Sequence, residues 1–543
     1  MLRLLGNKTI TWFIMGCIPV LAAGCGQRGL VPEEDALRLE ISSAELTSQL
    51  ETAIPELMQK AGIPGLQIAL IREGRVLWDR GFGIKNTQTG DPVDEHTVFE
   101  AASLTKPFFA YLIMKMVEAG EIDLDTPLVE YAPREIIEKQ YIRHSMDLEG
   151  FREDWFRRIT ARQVLSHSSG LPHGGPRRPL PVLFEPGSRY RYSADGYMYL
   201  QRIVEHLSAK PLHAIMQEEV IDPLGMEDSC MVWQERYAEQ AAVGHDTFSE
   251  TSGLHRRRRL AHSAASLYTT AHDYARFVAA LMKETGLEHD TVDLMLSPQI
   301  EVAEGVFWSL GFGLEDNSAG RAYWQWGDYG IFRNYITAFK DQGIGVVYLT
   351  NSFNGLSIGP ELVRLAIGGG ESPALNHLGY PRYDSPAVKL GRVAGEQGLA
   401  EAQKLYLQIR RESPGDLAEQ DVNNIGYNLL RAKKFPEAIA VFLWNVEAYP
   451  LSANACDSLA EAYMESGDTE NAIKFYEKVL EMIPDDPRPD RDALEDLAKG
   501  ARDRLTRLRR RPTGGRPPRG HPTINPIHHL GSGVSLWGTS PKP

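Results

Sequence analysis

Residues 101–108 read AASLTKPF. Proline has no amide hydrogen, so Pro107 fits a helix only in its first turn, and this predicts that a helix begins near Ser103. The spacing then puts Ser103 and Lys106 on one face, with the hydroxyl near the positive end of the helix dipole. A serine beside an amine that takes its proton is typical of a nucleophilic catalyst. The other interpretation is a helix cap followed by a surface lysine.

Outward from this segment, apolar patterns predict strands at both ends of one region and helices between them. A hairpin is predicted with strands at 66–71 and 76–78 and a turn at Glu73 and Gly74. Further elements are predicted as a strand at 345–350 and helices at 108–118, 197–207, 270–283 and 360–367. The sequence therefore predicts an α+β domain over 46–370 whose sheet joins its two terminal segments.

A second segment, PGSRYRYSADGY at 186–197, supports the first. Together with Ser-x-x-Lys-Pro it resembles the serine β-lactamase and penicillin-binding protein superfamily, particularly class C β-lactamases and the esterases and peptidases that share their fold. Landmarks similar to those of this family follow in the expected order at 100–107, 159–172, 222–226 and 265–277. The resemblance covers about 50–365. It implies an antiparallel sheet flanked by helices, with a helical subdomain.

The resemblance also implies site residues. Ser103 would be the acylated nucleophile, Lys106 its proton partner and Tyr192 the tyrosine of the family's Tyr-x-Asn motif. Ala194 stands where that motif has asparagine, and alanine makes no hydrogen bond to a substrate amide. Asp195 compensates only if the backbone turns it inward; the other interpretation is a turn residue.

The family's Lys/His-x-Gly strand motif has its best counterpart in Gln325, Trp326 and Gly327. The neutral Gln325 removes the positive charge that would meet a substrate carboxylate, which weakens the case for penicillins and D-alanyl peptides. Gly327 and the backbone N–H of Asp328 are expected to complete an oxyanion hole with the N–H of Ser103.

Several other residues allow two interpretations. Trp326 and Tyr329 are either pocket walls or core aromatics, and Arg333 is either a substitute anion partner or a structural arginine. His167 and His173 are interpreted as loop residues. A rival nucleophile is Ser357 in GLSIG at 355–359, although the strand before it is predicted to end near Thr350, too early for a tight elbow. No spacing of histidine, cysteine or carboxylates indicates a metal site, and we expect no cofactor.

After an expected linker at 371–385, a period of 34 residues links Ala438 with Ala472, Phe442 with Tyr476 and Pro450 with Pro484. This pattern resembles the tetratricopeptide repeat, whose small and aromatic positions let paired helices pack. A weaker copy contains Ala402, Tyr406 and Pro414. We therefore expect an all-α repeat domain over 386–500 that binds a protein partner or packs on its neighbour. The alternative is two ordinary amphipathic hairpins.

The N-terminus has the features of an export signal over 1–24: Arg3 and Lys8, an apolar run at 10–23, and small residues before Cys25. It resembles a bacterial lipoprotein signal, which implies that Cys25 is a lipid anchor to the membrane; the alternative is ordinary cleavage. Ala22 stands where that motif prefers leucine. We expect a tether at 25–45 and a location on the periplasmic side of the cell envelope, or else in the periplasm or the medium.

Chain length and net charge limit the number of domains and the classes of partner. The chain has 543 residues and a net charge of −14, so several domains and an acidic body are expected, with no nucleic-acid partner. The segment 501–543 is strongly basic, with nine Lys and Arg residues against Asp503, and it is predicted to be a disordered tail. The sequence thus predicts an exported serine hydrolase acting on a small-molecule or peptide ester or amide. Esterase or peptidase action is favoured over β-lactamase or D-alanyl peptidase action. An inactive scaffold whose repeats bind a protein is the alternative of another class.

Overall fold

The computed structural model describes residues 35–137, 151–173, 181–251 and 256–510. The expected signal at 1–24, the anchor Cys25 and positions 511–543 of the expected tail lie outside the described residues.

An antiparallel sheet forms the centre of the first domain. The strands are β1 Gly65–Arg72, β2 Arg75–Gly83, β3 Phe99–Glu100, β4 Tyr268–Thr269, β5 Ile300–Ala303, β6 Val306–Trp308, β7 Gly313–Asn317, β8 Gly320–Asp328, β9 Arg333–Phe339 and β10 Ile344–Thr350. Eight of them pair in the order β2-β1-β10-β9-β8-β7-β6-β5, and β3 pairs with β4. β1 lies between β2 and β10, so the sheet joins the two ends of the domain, as predicted. Glu73 and Gly74 turn the hairpin with φ of 52° and 65°.

Helices cover both faces of this sheet. They are α1 Ser43–Ala61, α2 Thr105–Glu118, α3 Arg134–Ile137, α4 Glu153–Phe156, α5 Ala161–Leu165, α6 Ala194–Ser208, α7 Leu212–Met216, α8 Tyr237–Gln240, α9 Ala271–Met282, α10 His289–Met295 and α11 Gly359–Ala366. One core contains Leu50 of α1 and Leu362 of α11. The other contains residues of α2, α6 and α9, where Phe108 and Phe277 meet edge to face at 5.3 Å. The α+β architecture is therefore confirmed.

The second domain is entirely helical in the part that the structure describes. α12 Pro373–Leu378 precedes it, and its own helices are α13 Pro386–Glu396, α14 Leu399–Glu412, α15 Glu419–Arg431, α16 Phe435–Ala448, α17 Ala453–Ser466, α18 Thr469–Met482 and α19 Arg491–Arg509. The paired positions Ala438 and Ala472, and Phe442 and Tyr476, are all fully buried. The two alanines are small enough to allow the close approach of neighbouring helices that the repeat needs.

Three expected boundary segments differ in the structure. Within the expected tether, Leu37 forms a β-bridge with Gly368. Within the expected linker 371–385, α12 packs on the sheet, where the buried Glu315 accepts hydrogen bonds from Ser372 at 2.6 Å and from the N–H of Ala374 at 2.9 Å. These segments therefore belong to the first domain, because their apolar and capping groups find partners there.

The prediction that the disordered tail begins at residue 501 also differs from the structure. Helix α19 continues through 501–509, and Ala501, Leu505 and Leu508 are buried in the core of the last repeat. Their spacing puts them on one helix face, so burial of that face outweighs the basic charge of the segment. Helices in the described ranges that are long enough to cross a bilayer are not apolar enough to do so.

Candidate active site

The segment around Ser103 is held by hydrogen bonds from several directions. The N–H of Ala101 donates to the carbonyl of Leu267 at 2.9 Å, and the Thr105 hydroxyl donates to the carbonyl of Ala102 at 2.7 Å. Tyr274 donates to the carbonyl of Leu104 at 2.8 Å. Ala102 has a left-handed backbone, with φ of 51°, immediately before Ser103. A strained backbone that the surroundings hold in place is a common feature of functional sites.

Lys106 lies one turn further, at the start of α2, as the spacing predicts. Its Nζ is 3.0 Å from Oγ of Ser103 and donates to the carbonyl of Ala264 at 3.0 Å. The side chain is 1% exposed, and none of the described carboxylates forms an ion pair with it. Burial without a counter-charge lowers the pKa of Lys106 to about 7. A large fraction of this amine is therefore uncharged at neutral pH.

Tyr192 completes the group from a loop just before α6. Its ring centroid lies 4.6 Å from Nζ of Lys106, and its hydroxyl forms a hydrogen bond with the Ser103 side chain. Burial is the main cause that raises the pKa of Tyr192 well above its ordinary value. The phenol is therefore protonated at neutral pH.

His167 packs against the ring of Tyr192. Its Nδ1 accepts a hydrogen bond from the N–H of Ser193 at 3.1 Å, and its ring centroid is 4.2 Å from that of Tyr192. The residue is fully buried, and burial lowers its pKa well below the ordinary value. His167 is thus a structural loop residue. His173 is solvent-exposed, and its ring centroid lies 5.6 Å from that of Tyr192.

Gln325 of β8 stands where the resemblance places a cation. Its Nε2 donates to the hydroxyl of Tyr192 at 3.0 Å and to the carbonyl of Ser103 at 3.1 Å. Two residues on, a Cβ at Gly327 would overlap the carbonyl oxygen of Ala101, so only glycine lets β8 pass this close to the serine segment. Asp328 follows directly, beside the same segment.

The side chain of Asp328 points into a structural network. It accepts hydrogen bonds from the N–H of Gly330 and the hydroxyl of Tyr380, both at 2.6 Å, and lies 3.2 Å from Nε of Arg333. Arg333 also donates to the carbonyl of Phe353 at 2.6 Å. These contacts support the interpretation of Arg333 as a structural residue, because its guanidinium already has partners.

The structure distinguishes the two aromatic residues Trp326 and Tyr329. Trp326 is 9% exposed, and its ring lies 4.8 Å from that of Tyr192, so it is a core residue that reaches the site. Tyr329 is partly exposed and accepts a hydrogen bond from Arg258 at 2.9 Å.

Asp195 is buried in the first turn of α6, where the helix dipole favours a carboxylate. It is therefore a helix residue and not part of an exposed turn.

The rival Ser357 lies in a different environment. It belongs to the 3-10 segment Gly355–Ile358, and its hydroxyl donates to the carbonyl of Asn354 at 2.6 Å. Among the described residues, no histidine or lysine makes a hydrogen bond to this hydroxyl. The geometry therefore brings a base to Ser103 and not to Ser357.

Within the described residues, the side chains of Glu284, His289 and Asp293 lie close enough together to hold a metal ion. This surface cluster already holds the ammonium of Lys340, at 2.9 Å from Glu284 and 3.0 Å from Asp293. These four residues therefore form an ion-pair network, and they are far from Ser103 in the sequence.

Sequence reasoning missed three partners of the site. Tyr380 lies in the expected linker, where nothing in the sequence pattern signals a contact with Asp328. Arg258 belongs to the run of four arginines at 256–259, a signal that was present in the sequence. The carbonyl of Ala264, which holds Lys106, is a backbone group and leaves no mark in the sequence.

Comparison with known proteins identifies relatives of both domains. The beta-lactamase family model matches residues 50–367, and a tetratricopeptide repeat model matches residues 455–490. Esterase EstB of Burkholderia gladioli is 25% identical over 397 residues, covering 61% of this chain and 97% of that protein. Unguisins hydrolase ungD of Aspergillus violaceofuscus is 25% identical over 287 residues, 47% of each chain. Among solved structures, the D-alanine carboxypeptidase AmpC from Burkholderia cenocepacia is similar with a TM-score of 0.49 and 19% identity, covering 60% of this chain and 98% of that one. With Ser103, Lys106 and Tyr192 assembled beside β8, and with more than half of its length matched, the chain belongs to the beta-lactamase family of serine hydrolases.

Proposed function

We propose that this chain is an esterase that hydrolyses its substrate through an acyl group on Ser103. The observation that carries the proposal is the buried Lys106, whose Nζ lies 3.0 Å from Oγ of Ser103 with a pKa lowered to about 7. An uncharged amine at this distance can accept the hydroxyl proton at neutral pH.

In the acylation step, the Ser103 oxygen bonds to the substrate carbonyl carbon while its proton passes to Lys106. The N–H groups of Ser103 and Asp328 stabilise the resulting oxyanion. Tyr192, which is protonated at neutral pH, donates its proton to the leaving alcohol, and its phenolate regains a proton from the Lys106 ammonium 4.6 Å from its ring. Water then attacks the acyl carbon, gives one proton to Lys106, and releases the acid as Ser103 recovers its hydrogen.

Two features favour an ester over a β-lactam or a D-alanyl peptide. Gln325 is neutral, so β8 brings no cation to a substrate carboxylate at the Tyr192 end of the site. Ala194 offers no hydrogen bond to a substrate amide. The similarity to Esterase EstB, over 97% of that protein, supports the same choice.

The test is covalent labelling of the purified full chain, followed by intact-mass and peptide mass spectrometry. A fluorophosphonate should label Ser103, and the label should be absent in Ser103→Ala but retained in the matched variant Ser357→Ala. Loss of the label in Ser357→Ala alone would transfer the role to the rival serine. An adduct with benzylpenicillin would favour β-lactamase or peptidase action, and absence of every adduct would favour the scaffold.

We also propose that the protein acts in the cell envelope, anchored through Cys25, and that the repeats bind a protein partner. The location and anchor rest on residues 1–25 of the sequence alone. The repeat match at 455–490 supports the second part. Radiolabelled palmitate incorporated into the chain, and lost in Cys25→Ser, would test the anchor.

A further inference from the structure

A run of four arginines at 256–259 lies beside the proposed catalytic group. Nη2 of Arg258 donates to the hydroxyl of Tyr329 at 2.9 Å, and that hydroxyl donates to the carbonyl of Ala265. The carbonyl of the preceding residue, Ala264, holds Nζ of Lys106 at 3.0 Å. Three hydrogen bonds and one peptide unit therefore connect Arg258 to the amine beside Ser103.

The arginines of this run differ in their partners. Nε of Arg256 lies 4.0 Å from Oε2 of the buried Glu100, and Nη1 of Arg257 lies 3.9 Å from Oε2 of Glu235 on the surface. For Arg258, the described part of the chain offers no carboxylate within ion-pair distance. Arg258 is partly exposed, and its guanidinium lies 5.2 Å from the centre of the Tyr329 ring. This arginine is thus positioned by an aromatic residue and has donors left for a ligand.

The acids nearest to Arg258 do not offset its charge. The buried Glu100 lies 4.0 Å from Nε of Arg256, so its carboxylate faces another arginine of the run. Asp328, at the end of β8, is already paired with Arg333 and Tyr380. The arginine run therefore leaves this side of the site positive, which suits an anion.

The position of Arg258 relative to β8 indicates which part of the substrate it meets. Gln325 contacts Tyr192, the residue that delivers a proton to the leaving group. Tyr329, which holds Arg258, directly follows the last residue of β8, Asp328, and the three residues of extended chain from Gln325 to Asp328 cover about 10 Å. The leaving group therefore departs at the Tyr192 end, and the acyl group extends toward Arg258.

We propose that Arg258 binds a carboxylate at the far end of the substrate's acyl group, so that the enzyme prefers half-esters of dicarboxylic acids to neutral esters. This inference rests on the proposed function, because it takes its direction from the roles of Ser103 and Tyr192. A guanidinium suits this task because its planar donors match the two oxygens of a carboxylate.

The first test compares para-nitrophenyl hexanoate, octanoate and decanoate with the corresponding mono-esters of adipate, suberate and sebacate. The wild type should show a higher kcat/KM for at least one carboxylated ester than for its neutral counterpart. Arg258→Gln should reduce that preference about tenfold, since a charge-assisted pair is lost. Arg258→Lys should keep part of it. The matched variant Arg257→Gln removes the same charge one residue away and should keep it all. An equal loss for both ester series in Arg258→Gln would overturn the proposal, because it would show a structural role.

A second test does not depend on turnover. Monomethyl adipate and methyl hexanoate are titrated calorimetrically into Ser103→Ala and into Ser103→Ala/Arg258→Gln. Tighter binding of the carboxylated ester to the first variant, reduced about tenfold in the second, supports the role of Arg258 even if the wild type hydrolyses neither series. Equal binding of monomethyl adipate to both variants refutes it, whereas hydrolysis without a preference refutes it and leaves the esterase proposal standing.

Discussion

Gln325 donates an amide hydrogen to the hydroxyl of Tyr192 across 3.0 Å, at the place where the family resemblance implies a cation. A neutral donor there stabilises a phenolate much less than an ammonium does. We therefore propose that Tyr192 stays protonated and that Lys106 accepts the serine proton. This division of roles leads to the first two predictions.

The pH dependence of hydrolysis should follow Lys106. Its pKa is lowered to about 7, so the amine is charged below that pH and free to accept a proton above it. For a neutral ester such as para-nitrophenyl hexanoate, kcat/KM should rise about tenfold per pH unit below about 7 and level off above it. The measurement is a stopped-flow or plate-reader profile over a broad pH range. A rise that continues toward pH 10 would show that Tyr192, not Lys106, is the base.

Replacing Gln325 by lysine should increase the rate at which penicillins acylate Ser103. An ammonium beside the Tyr192 hydroxyl lowers the pKa of the phenol and offers a partner to a substrate carboxylate. We expect Gln325→Lys to acylate Ser103 with benzylpenicillin about tenfold faster than the wild type, as followed by intact-mass spectrometry. Gln342→Lys makes the same change in the turn between β9 and β10 and should leave the rate unchanged. Equal rates in both variants would exclude the missing cation as the cause.

Lys106→Met should abolish hydrolysis and yet stabilise the protein at neutral pH. Folding shifts the lysine pKa from 10.5 to about 7, so the unfolded chain binds more protons and the wild type gains stability as pH rises between these values. The burial cost is fully present below about pH 7 and amounts to a few kcal/mol, on the order of 1.4 kcal/mol per pH unit. The melting temperature of Lys106→Met should thus exceed that of the wild type at pH 7, by less at pH 10. A constant difference at both pH values would contradict this account.

Tyr380→Phe should slow hydrolysis although the residue lies outside the family motifs. Its hydroxyl donates to Oδ2 of Asp328 at 2.6 Å, and the backbone N–H of Asp328 is assigned to the oxyanion hole. Loss of this bond frees the turn after β8, and we expect kcat to fall about tenfold, equivalent to about 1.4 kcal/mol, with KM little changed.

A matched control lies three residues away. Tyr383 donates to Glu361 at 2.6 Å, remote from β8, so Tyr383→Phe removes a similar hydrogen bond and should leave kcat unchanged. If both variants lost kcat equally, the effect of Tyr380→Phe would reflect general destabilisation of the segment.

Much of the fold could be predicted from the sequence because its signals are local. The hairpin of β1 and β2, the helix that begins after Ser103 and the period of 34 residues each depend on residues close together in the chain. Errors came where two local signals competed. At 501–509 the basic charge indicated disorder, whereas the spacing of Ala501, Leu505 and Leu508 indicated a helix face, and burial of that face outweighs the charge.

The sequence by itself determined the pairing of Ser103 with Lys106, because a spacing of three residues at a helix start brings two side chains together. Only the tertiary structure decided what surrounds this pair. Gln325 reaches the carbonyl of Ser103 from 222 positions away, and Tyr380 reaches Asp328 from a segment expected to be a linker. Such contacts depend on how the whole sheet and its helices bury their apolar faces, and the pattern of one segment shows which face is buried but not which remote segment covers it.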